Sequence, residues 1–103
     1  MQEKIKSIIN KSISVKQSIL SDSKLIESIE KSVGLIVEAY KEDGKLLFCG
    51  NGGSAADAQH LAAEFSGRFY LDREPLYAEA LHVNSSYLTA VANDYDYNEI
   101  YAR

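Results

Sequence analysis

Residues 47–57 read LFCGNGGSAAD, an apolar run followed by three glycines, a serine and two alanines. The run from Lys45 to Cys49 is short and bounded by turn residues, which is typical of a buried strand. Small residues follow, and they predict a helix that Ser54 or a near neighbour caps and that ends at about Ser66. A turn between such a strand and helix directs free backbone N–H groups and the positive end of the helix dipole at one place. The stretch therefore predicts an anion-binding loop at the start of an α/β unit.

Helical periodicity precedes this stretch. Residues 3–20 and 25–40 carry Ile, Leu and Val at three- and four-residue steps, which predicts two amphipathic helices. Oxygens of Ser21–Asp22–Ser23 can cap the second helix. We predict a helical segment over residues 1–42, packed on the sheet or on neighbouring subunits, and an α/β domain over residues 43–103.

Further elements follow the glycine loop. We predict a polar loop over residues 67–77 and a second strand over residues 77–83. A short helix then begins at Ser85 or Ser86 and ends at residue 91. A break follows at residues 93–94, and another helix begins within residues 97–103. Strand, helix and strand in this order form a βαβ unit of a parallel sheet, which binds ligands at the carboxyl ends of its strands. Two strands make a poor parallel sheet, so we expect completion by further chain or by other chains.

Composition excludes several classes of protein. The chain has 103 residues, 46% hydrophobic and 25% charged, as in one ordinary globular domain. No apolar stretch approaches the roughly 18–20 residues of a membrane span, and the N-terminus lacks a signal-peptide pattern, so we expect a cytoplasmic protein. The net charge of −4 without a basic cluster argues against nucleic-acid binding. The single cysteine, Cys49, is expected to be a small buried hydrophobe.

The glycine loop has three interpretations. From Gly50 it matches G-x-G-x-x-A, the dinucleotide fingerprint of oxidoreductases, but that motif expects an acidic residue closing the second strand, where His82–Val83–Asn84 stands. The second interpretation is a tight turn that only packs the helix on the strand. The third interpretation is a loop that binds a sugar phosphate, and the polar side chains of Asn51 and Ser54 favour it.

A histidine and a glutamate follow on the predicted helix. His60 and Glu64 are four residues apart and therefore share one face. Such a pair is often a surface ion pair, but here it follows a ligand loop and lies among small apolar residues. The carboxylate could act as a general base, and imidazole with carboxylate suits Zn²⁺. Two ligands are too few for a zinc site, so the others must come from elsewhere.

Three stretches resemble the phosphoheptose isomerases, members of the sugar isomerase (SIS) domain group: CGNGGSAADAQHLAAEFSGRF (49–69), REPLYAEAL (73–81) and LTAVANDYDYNEIYAR (88–103). The resemblance implies a three-layer α/β/α parallel sheet, flavodoxin-like, preceded by N-terminal helices, in a cytoplasmic homotetramer. It implies conversion of D-sedoheptulose 7-phosphate to D-glycero-D-manno-heptose 7-phosphate through an enediol. The product would supply ADP- or GDP-heptose for lipopolysaccharide, capsule or related surface glycans.

The resemblance also assigns residues. It implies zinc ligation by His60 and Glu64, one ion per subunit, with Glu64 also the catalytic acid/base. Arg68 aligns with an arginine near the site. The implied substrate contacts comprise the loop, the acid/base, this arginine and a later pair: Asn51, Gly52, Gly53, Ser54, Glu64, Arg68, Asn93 and Asp94.

Several family features are missing from these residues. The family has a second Ser/Thr-rich phosphate loop and a late Gln and His, so we expect the N-terminal portion of the enzyme, inactive by itself. Asn84 stands where many relatives have Asp. The alternative function is a non-catalytic SIS domain that binds sugar phosphate or a replication-initiator partner. Asp57 and Glu64 favour the enzyme, and a sugar-phosphate sensor domain would carry a basic recognition helix that is not seen here.

Overall fold

The computed structural model describes residues 1–103 and contains two compact units, Met1–Glu38 and Ala39–Arg103. Both predicted N-terminal helices are present: α1 spans Gln2–Ser21, and α2 begins at Ser23 and ends at Lys41, three residues beyond the first unit. Asp22 separates them and caps α2, since its Oδ1 accepts a hydrogen bond from the N–H of Leu25 at 3.1 Å.

The apolar stripes of both N-terminal helices are exposed. Neither α1 nor α2 buries a residue, and Ile8, in the middle of the α1 stripe, is 59% exposed. The predicted packing of this segment on the sheet or on neighbouring subunits stays a prediction. None of the helices combines the length and apolar character needed to cross a bilayer.

The second unit contains the predicted βαβ arrangement. Strand β1 (Leu46–Phe48) pairs in parallel with β2 (Ala78–Ala80), and α3 (Gly53–Ser66) connects them. The register places Leu46 opposite Ala78 and Phe48 opposite Ala80. This parallel sheet with helices confirms the α/β class. Both strands are shorter than predicted, because each has a single partner and the pairing ends after three residues.

Four alanines form the core between α3 and the sheet. Ala58 and Ala62 of α3 face Ala78 and Ala80 of β2, all at most 9% exposed, and larger side chains surround them: Leu46, Phe48 and Phe65. Such small side chains bring the helix backbone close to the sheet.

The prediction that β1 is buried was wrong. Side chains alternate across a strand, and α3 covers one face of this sheet only, so Leu47 on the other face is 45% exposed. Cys49, expected to be buried, is exposed as well.

The elements after β2 also differ from prediction. Helix α4 spans Ser85–Asp94, so the predicted break at residues 93–94 was wrong and these residues form its last turn. The helix begins at Ser85, as predicted, and the residue before it is the cap: the side-chain oxygen of Asn84 accepts a hydrogen bond from the N–H of Tyr87 at 3.0 Å. Beyond α4, the predicted helix at residues 97–103 is a 3₁₀ helix over Tyr97–Glu99.

Candidate functional site

The glycine loop is a tight turn between β1 and α3. Gly52 has φ +56° and ψ −122°, the first central position of a type II′ turn, which the N–H of Ser54 closes on the carbonyl of Asn51 at 3.0 Å. Glycine adopts this backbone without steric cost. A Cβ on Gly50 would lie 2.6 Å from the carbonyl carbon of Ser54, so this position also requires glycine.

The turn leaves backbone donors available. The N–H groups of Asn51, Gly52 and Gly53 donate no hydrogen bond, and α3 starts with Gly52 as cap and no capping side chain. Ser54 therefore lies inside the helix rather than capping it, and its exposed hydroxyl is unpaired. Free N–H groups at the positive end of a helix are the elements of an anion site.

Tyrosines from the C-terminal segment contact this loop. The Tyr101 hydroxyl accepts from the N–H of Gly50 at 3.4 Å and donates to the carbonyl of the same residue. The Tyr97 hydroxyl donates to Oδ1 of Asn51 at 2.7 Å. Sequence reasoning missed these contacts, although the spacing of four residues between the two tyrosines was a signal that they share a direction.

His60 and Glu64 lie on one face of α3, as their spacing predicts. His60 Nε2 is 3.1 Å from Glu64 Oε1, and the side chains are 76% and 28% exposed respectively. The carboxylate is therefore the more enclosed of the two partners. This geometry suits a carboxylate whose orientation must be fixed before it accepts a proton.

An open cavity of about 680 Å³ adjoins this pair. Its wall is largely apolar and comes from α3 and the following loop: His60, Leu61, Glu64, Phe65, Phe69, Tyr70, Leu71, Arg73 and Leu76. Its size lies within the range of small-molecule sites. A few polar groups in an apolar wall are the usual composition of such sites.

Arg73 holds the C-terminal end of α3. Its guanidinium donates to the carbonyls of Glu64 at 3.1 Å and Phe65 at 2.9 Å, and also to those of Gly67 at 3.2 Å and Glu74 at 3.0 Å. A cation there satisfies carbonyls without helical partners and complements the negative end of the helix dipole. No local sequence pattern predicted this role, because Arg73 lies in a polar loop.

The structure does not bring the remaining predicted residues to the pair or the loop. Arg68 is exposed and makes no hydrogen bond or ion pair. Asn93 and Asp94 are exposed at the end of α4, where Nδ2 of Asn93 donates to Oδ1 of Asp94 at 2.9 Å. Their predicted roles in substrate binding stay predictions.

The glycine loop and Glu64 lie at opposite ends of α3. Eleven residues separate Gly53 from Glu64, and at 1.5 Å per residue this is about 16 Å along the helix axis. The cavity adjoins the end that carries Glu64. The loop and the carboxylate are therefore two separate candidate sites within one chain.

The pair offers part of a metal site. No group of three His, Cys, Asp or Glu side chains that could hold a metal ion occurs in residues 1–103. Zinc sites use three or four protein ligands, of which an imidazole and a carboxylate are typical members. His60 and Glu64 thus fit as two ligands of a zinc ion that requires others.

Comparison with known proteins identifies relatives over nearly the whole chain. A family model described as an SIS domain matches residues 10–103. The phosphoheptose isomerase of Clostridium acetobutylicum is 50% identical over 103 residues, which cover 100% of this chain and 53% of that protein. The phosphoheptose isomerase of Mycobacterium tuberculosis is 52% identical over 96 residues, 93% of this chain and 49% of that protein. The chain thus spans about half the length of the curated relatives it matches.

Solved structures agree with this. Phosphoheptose isomerase GmhA from Neisseria gonorrhoeae superposes with a TM-score of 0.86 at 40% identity, covering 98% of this chain and 50% of that one. A phosphoheptose isomerase from Francisella tularensis superposes with a TM-score of 0.87 at 34% identity, covering 97% of this chain and 51% of that one.

Proposed function

The chain belongs to the SIS domain family, and we propose that it is the N-terminal part of a phosphoheptose isomerase that converts D-sedoheptulose 7-phosphate to D-glycero-D-manno-heptose 7-phosphate. The observation that carries the proposal is the Glu64 carboxylate, held 3.1 Å from His60 at an apolar cavity. The similarity to named phosphoheptose isomerases at about half their length supports it. The proposal includes a cytoplasmic location and a supply of heptose to surface glycans.

Glu64 is the proposed acid/base. An aldose–ketose isomerisation moves a proton between C1 and C2 through an enediol, so one group must accept the proton and return it. A positioned carboxylate does this and typically contributes about 10² to 10⁴-fold in rate. His60 holds the carboxylate through the contact between Nε2 and Oε1. The free N–H groups of the glycine loop would bind substrate oxygens, and Arg68, Asn93 and Asp94 would add further contacts.

Zinc is the proposed cofactor, with His60 and Glu64 as two of its ligands. When bound, a zinc ion would polarise the substrate oxygens while negative charge develops on them. The other ligands would come from residues outside this chain or from another copy of it.

Assembly from several copies is part of the proposal. A heptose has six carbon–carbon bonds of about 1.5 Å, so its carbon chain spans at most about 9 Å, less than the roughly 16 Å between loop and Glu64. A sugar held at the loop by its hydroxyls would therefore take its acid/base from a second copy. A homotetramer provides such shared sites.

Substitution of Glu64 tests the proposal in the complete protein that carries these residues. With sedoheptulose 7-phosphate as substrate and zinc present, we expect Glu64→Gln to lower kcat by about 10² to 10⁴-fold. Glu42→Gln, at an exposed carboxylate outside the cavity, is the matched control and should behave as the unaltered protein.

Three results would count against parts of the proposal. Near-normal turnover by Glu64→Gln would remove Glu64 from the acid/base role. No turnover by the unaltered protein, with binding of the sugar phosphate retained, would favour the non-catalytic SIS domain. A chelator that abolishes turnover, with recovery on adding Zn²⁺ alone, would support the zinc site, whereas full activity in chelator would reject it.

A further inference from the structure

The contact between Tyr97 and Asn51 has a chemical consequence for ligand binding at the glycine loop. The Tyr97 hydroxyl donates to Oδ1 of Asn51 at 2.7 Å, across 46 residues of sequence. Both residues are exposed, and this is the one hydrogen bond that either side chain makes. The contact therefore does not stabilise a buried core, and its effect falls on the orientation of the Asn51 amide.

An asparagine amide has two distinct sides. Its oxygen only accepts hydrogen bonds, and its NH₂ group only donates them. Tyr97 contacts the oxygen, which leaves both N–H bonds of Nδ2 available. Beside them lie the free backbone N–H groups of Gly52 and Gly53, so every unpaired polar group of this turn except the Ser54 hydroxyl is a donor.

We propose that Tyr97 is a positioning residue that fixes the Asn51 amide with its NH₂ group toward the ligand. The loop is thereby specialised for a ligand that presents oxygen acceptors, namely the phosphate or hydroxyl oxygens of a sugar phosphate. The identity of that ligand rests on the proposed function, whereas the orientation of the amide rests on the structure alone.

The segment that carries Tyr97 is held firmly enough to set this orientation. Ile100 is 2% exposed, and its carbonyl accepts from the Tyr87 hydroxyl at 2.8 Å. Tyr101 contacts both the N–H and the carbonyl of Gly50, next to Asn51. Asp96 caps the 3₁₀ helix by accepting from the N–H of Asn98 at 2.8 Å. Two tyrosines thus hold two successive residues of the loop.

Without the Tyr97 hydroxyl, the amide is free to rotate by half a turn. Rotated, it would present an acceptor to an acceptor-rich ligand and lose its contribution to binding. One hydrogen bond of this kind corresponds to about a three- to tenfold change in an equilibrium constant. We expect the loss in KM and in the dissociation constant, with kcat changed less than about twofold, because Tyr97 contacts a residue proposed to bind the substrate rather than the residue proposed to transfer the proton.

The test is Tyr97→Phe in the complete protein, with Tyr95→Phe as the matched control. Tyr97 is 52% exposed and Tyr95 is 59% exposed, so the two positions are similar. The Tyr95 hydroxyl, however, accepts a hydrogen bond from Nη2 of Arg103 at 2.9 Å and makes none with Asn51. Dissociation constants for inorganic phosphate and for sedoheptulose 7-phosphate are measured by calorimetry. The side-chain NH₂ signals of Asn51 are followed by ¹⁵N NMR without ligand, and thermal unfolding verifies that each variant is folded.

A second variant, Asn51→Asp, separates the donors from the acceptor. The carboxylate still accepts from Tyr97 but has no N–H to offer. We expect it to weaken binding at least as much as Tyr97→Phe does. Adding Tyr97→Phe to it should change the dissociation constant by less than about twofold, since the orientation of a symmetrical carboxylate does not matter.

The inference is supported if Tyr97→Phe, but not Tyr95→Phe, shifts the Asn51 signals and weakens binding three- to tenfold. The double variant should then bind about as weakly as Asn51→Asp alone. The inference is overturned if the signals and affinity are unchanged, if Tyr95→Phe has the same effect, or if the two substitutions add in full. Phosphate binding that depends on Tyr97 without any turnover would reject the proposed function and keep the inference. Binding of neither phosphate nor sugar phosphate would reject both.

Discussion

Replacing Gly50 by alanine should destabilise the fold through one steric conflict. A Cβ at this position would lie 2.6 Å from both the carbonyl carbon and the carbonyl oxygen of Ser54, and 2.8 Å from its Cβ. Carbon atoms pack best at about 3.5–4.0 Å, so the loop must move by about 1 Å against backbone atoms. Overpacking of this kind costs about 1–3 kcal/mol. The movement would also disturb the contacts of Gly50 with Tyr101.

Gly53 provides the control, three residues away in the same loop. No atom lies within 4 Å of a Cβ built there, and the residue is the first of α3. Gly53→Ala should therefore be neutral or stabilise by up to about 1 kcal/mol, because alanine restricts the unfolded chain.

Urea unfolding followed by circular dichroism gives both free energies. In heating experiments, a loss of 1 kcal/mol corresponds to a Tm lowered by about 4–8 °C in a domain of 60–100 residues, and by less in a longer protein. The reasoning is refuted if Gly50→Ala is as stable as the unaltered protein. It is also refuted if Gly53→Ala loses as much, since the effect would then not come from the contact with Ser54.

Substitutions at three further positions test other contacts. Arg73→Met should lower the free energy of unfolding by about 1.5–3 kcal/mol. Arg73→Lys should lower it by less than Arg73→Met but should not match the unaltered protein, because an ammonium lacks the planar fork of a guanidinium. Equal stability of the unaltered protein and both variants would contradict the capping role. Burial raises the pKa of Tyr40, opposed by the Arg73 charge, so the folded protein retains this proton while the unfolded chain loses it near pH 10. This stabilisation is complete below about pH 10 and is lost as the pH rises through the pKa of Tyr40 in the folded protein. The urea midpoint should therefore fall less steeply at alkaline pH in Tyr40→Phe than in the unaltered protein. An identical fall in both would show that Tyr40 does not cause the alkaline loss of stability. Asn84→Ala should lower the unfolding free energy by about 0.5–2 kcal/mol, whereas Asn84→Asp, still able to accept from Tyr87, should be neutral; a large loss in Asn84→Asp would show that the amide itself is required.

Local features of the fold and site could be predicted from the sequence. The pairing of His60 with Glu64 follows from helix geometry alone, since residues four apart share a face. Likewise, the cap at Asp22 needs only a short acceptor side chain before a helical pattern. Neither depends on distant residues.

Features set by distant contacts could not be predicted in this way. The extent of β1 depends on how much of β2 faces it, and the exposure of Cys49 depends on which faces of the sheet are covered. Helix α4 continues through Asn93 and Asp94 because weak helix formers are tolerated in a last turn. The contacts of Arg73 and Tyr97 cross loops or long stretches of chain, and no periodicity reports such pairings.

The distance in sequence between the glycine loop and its tyrosines bears on the order of events during synthesis. Tyr101 follows Gly50 by 51 residues, and at about 5–20 residues per second the ribosome needs about 3–10 s to make that length of chain. For this interval β1 and the loop are complete while their contacts with Tyr97 and Tyr101 are still impossible. The glycine loop is therefore among the last parts of this unit to become ordered on the ribosome, and a nascent chain paused before Tyr97 would have the loop without its contacts to Tyr97 and Tyr101.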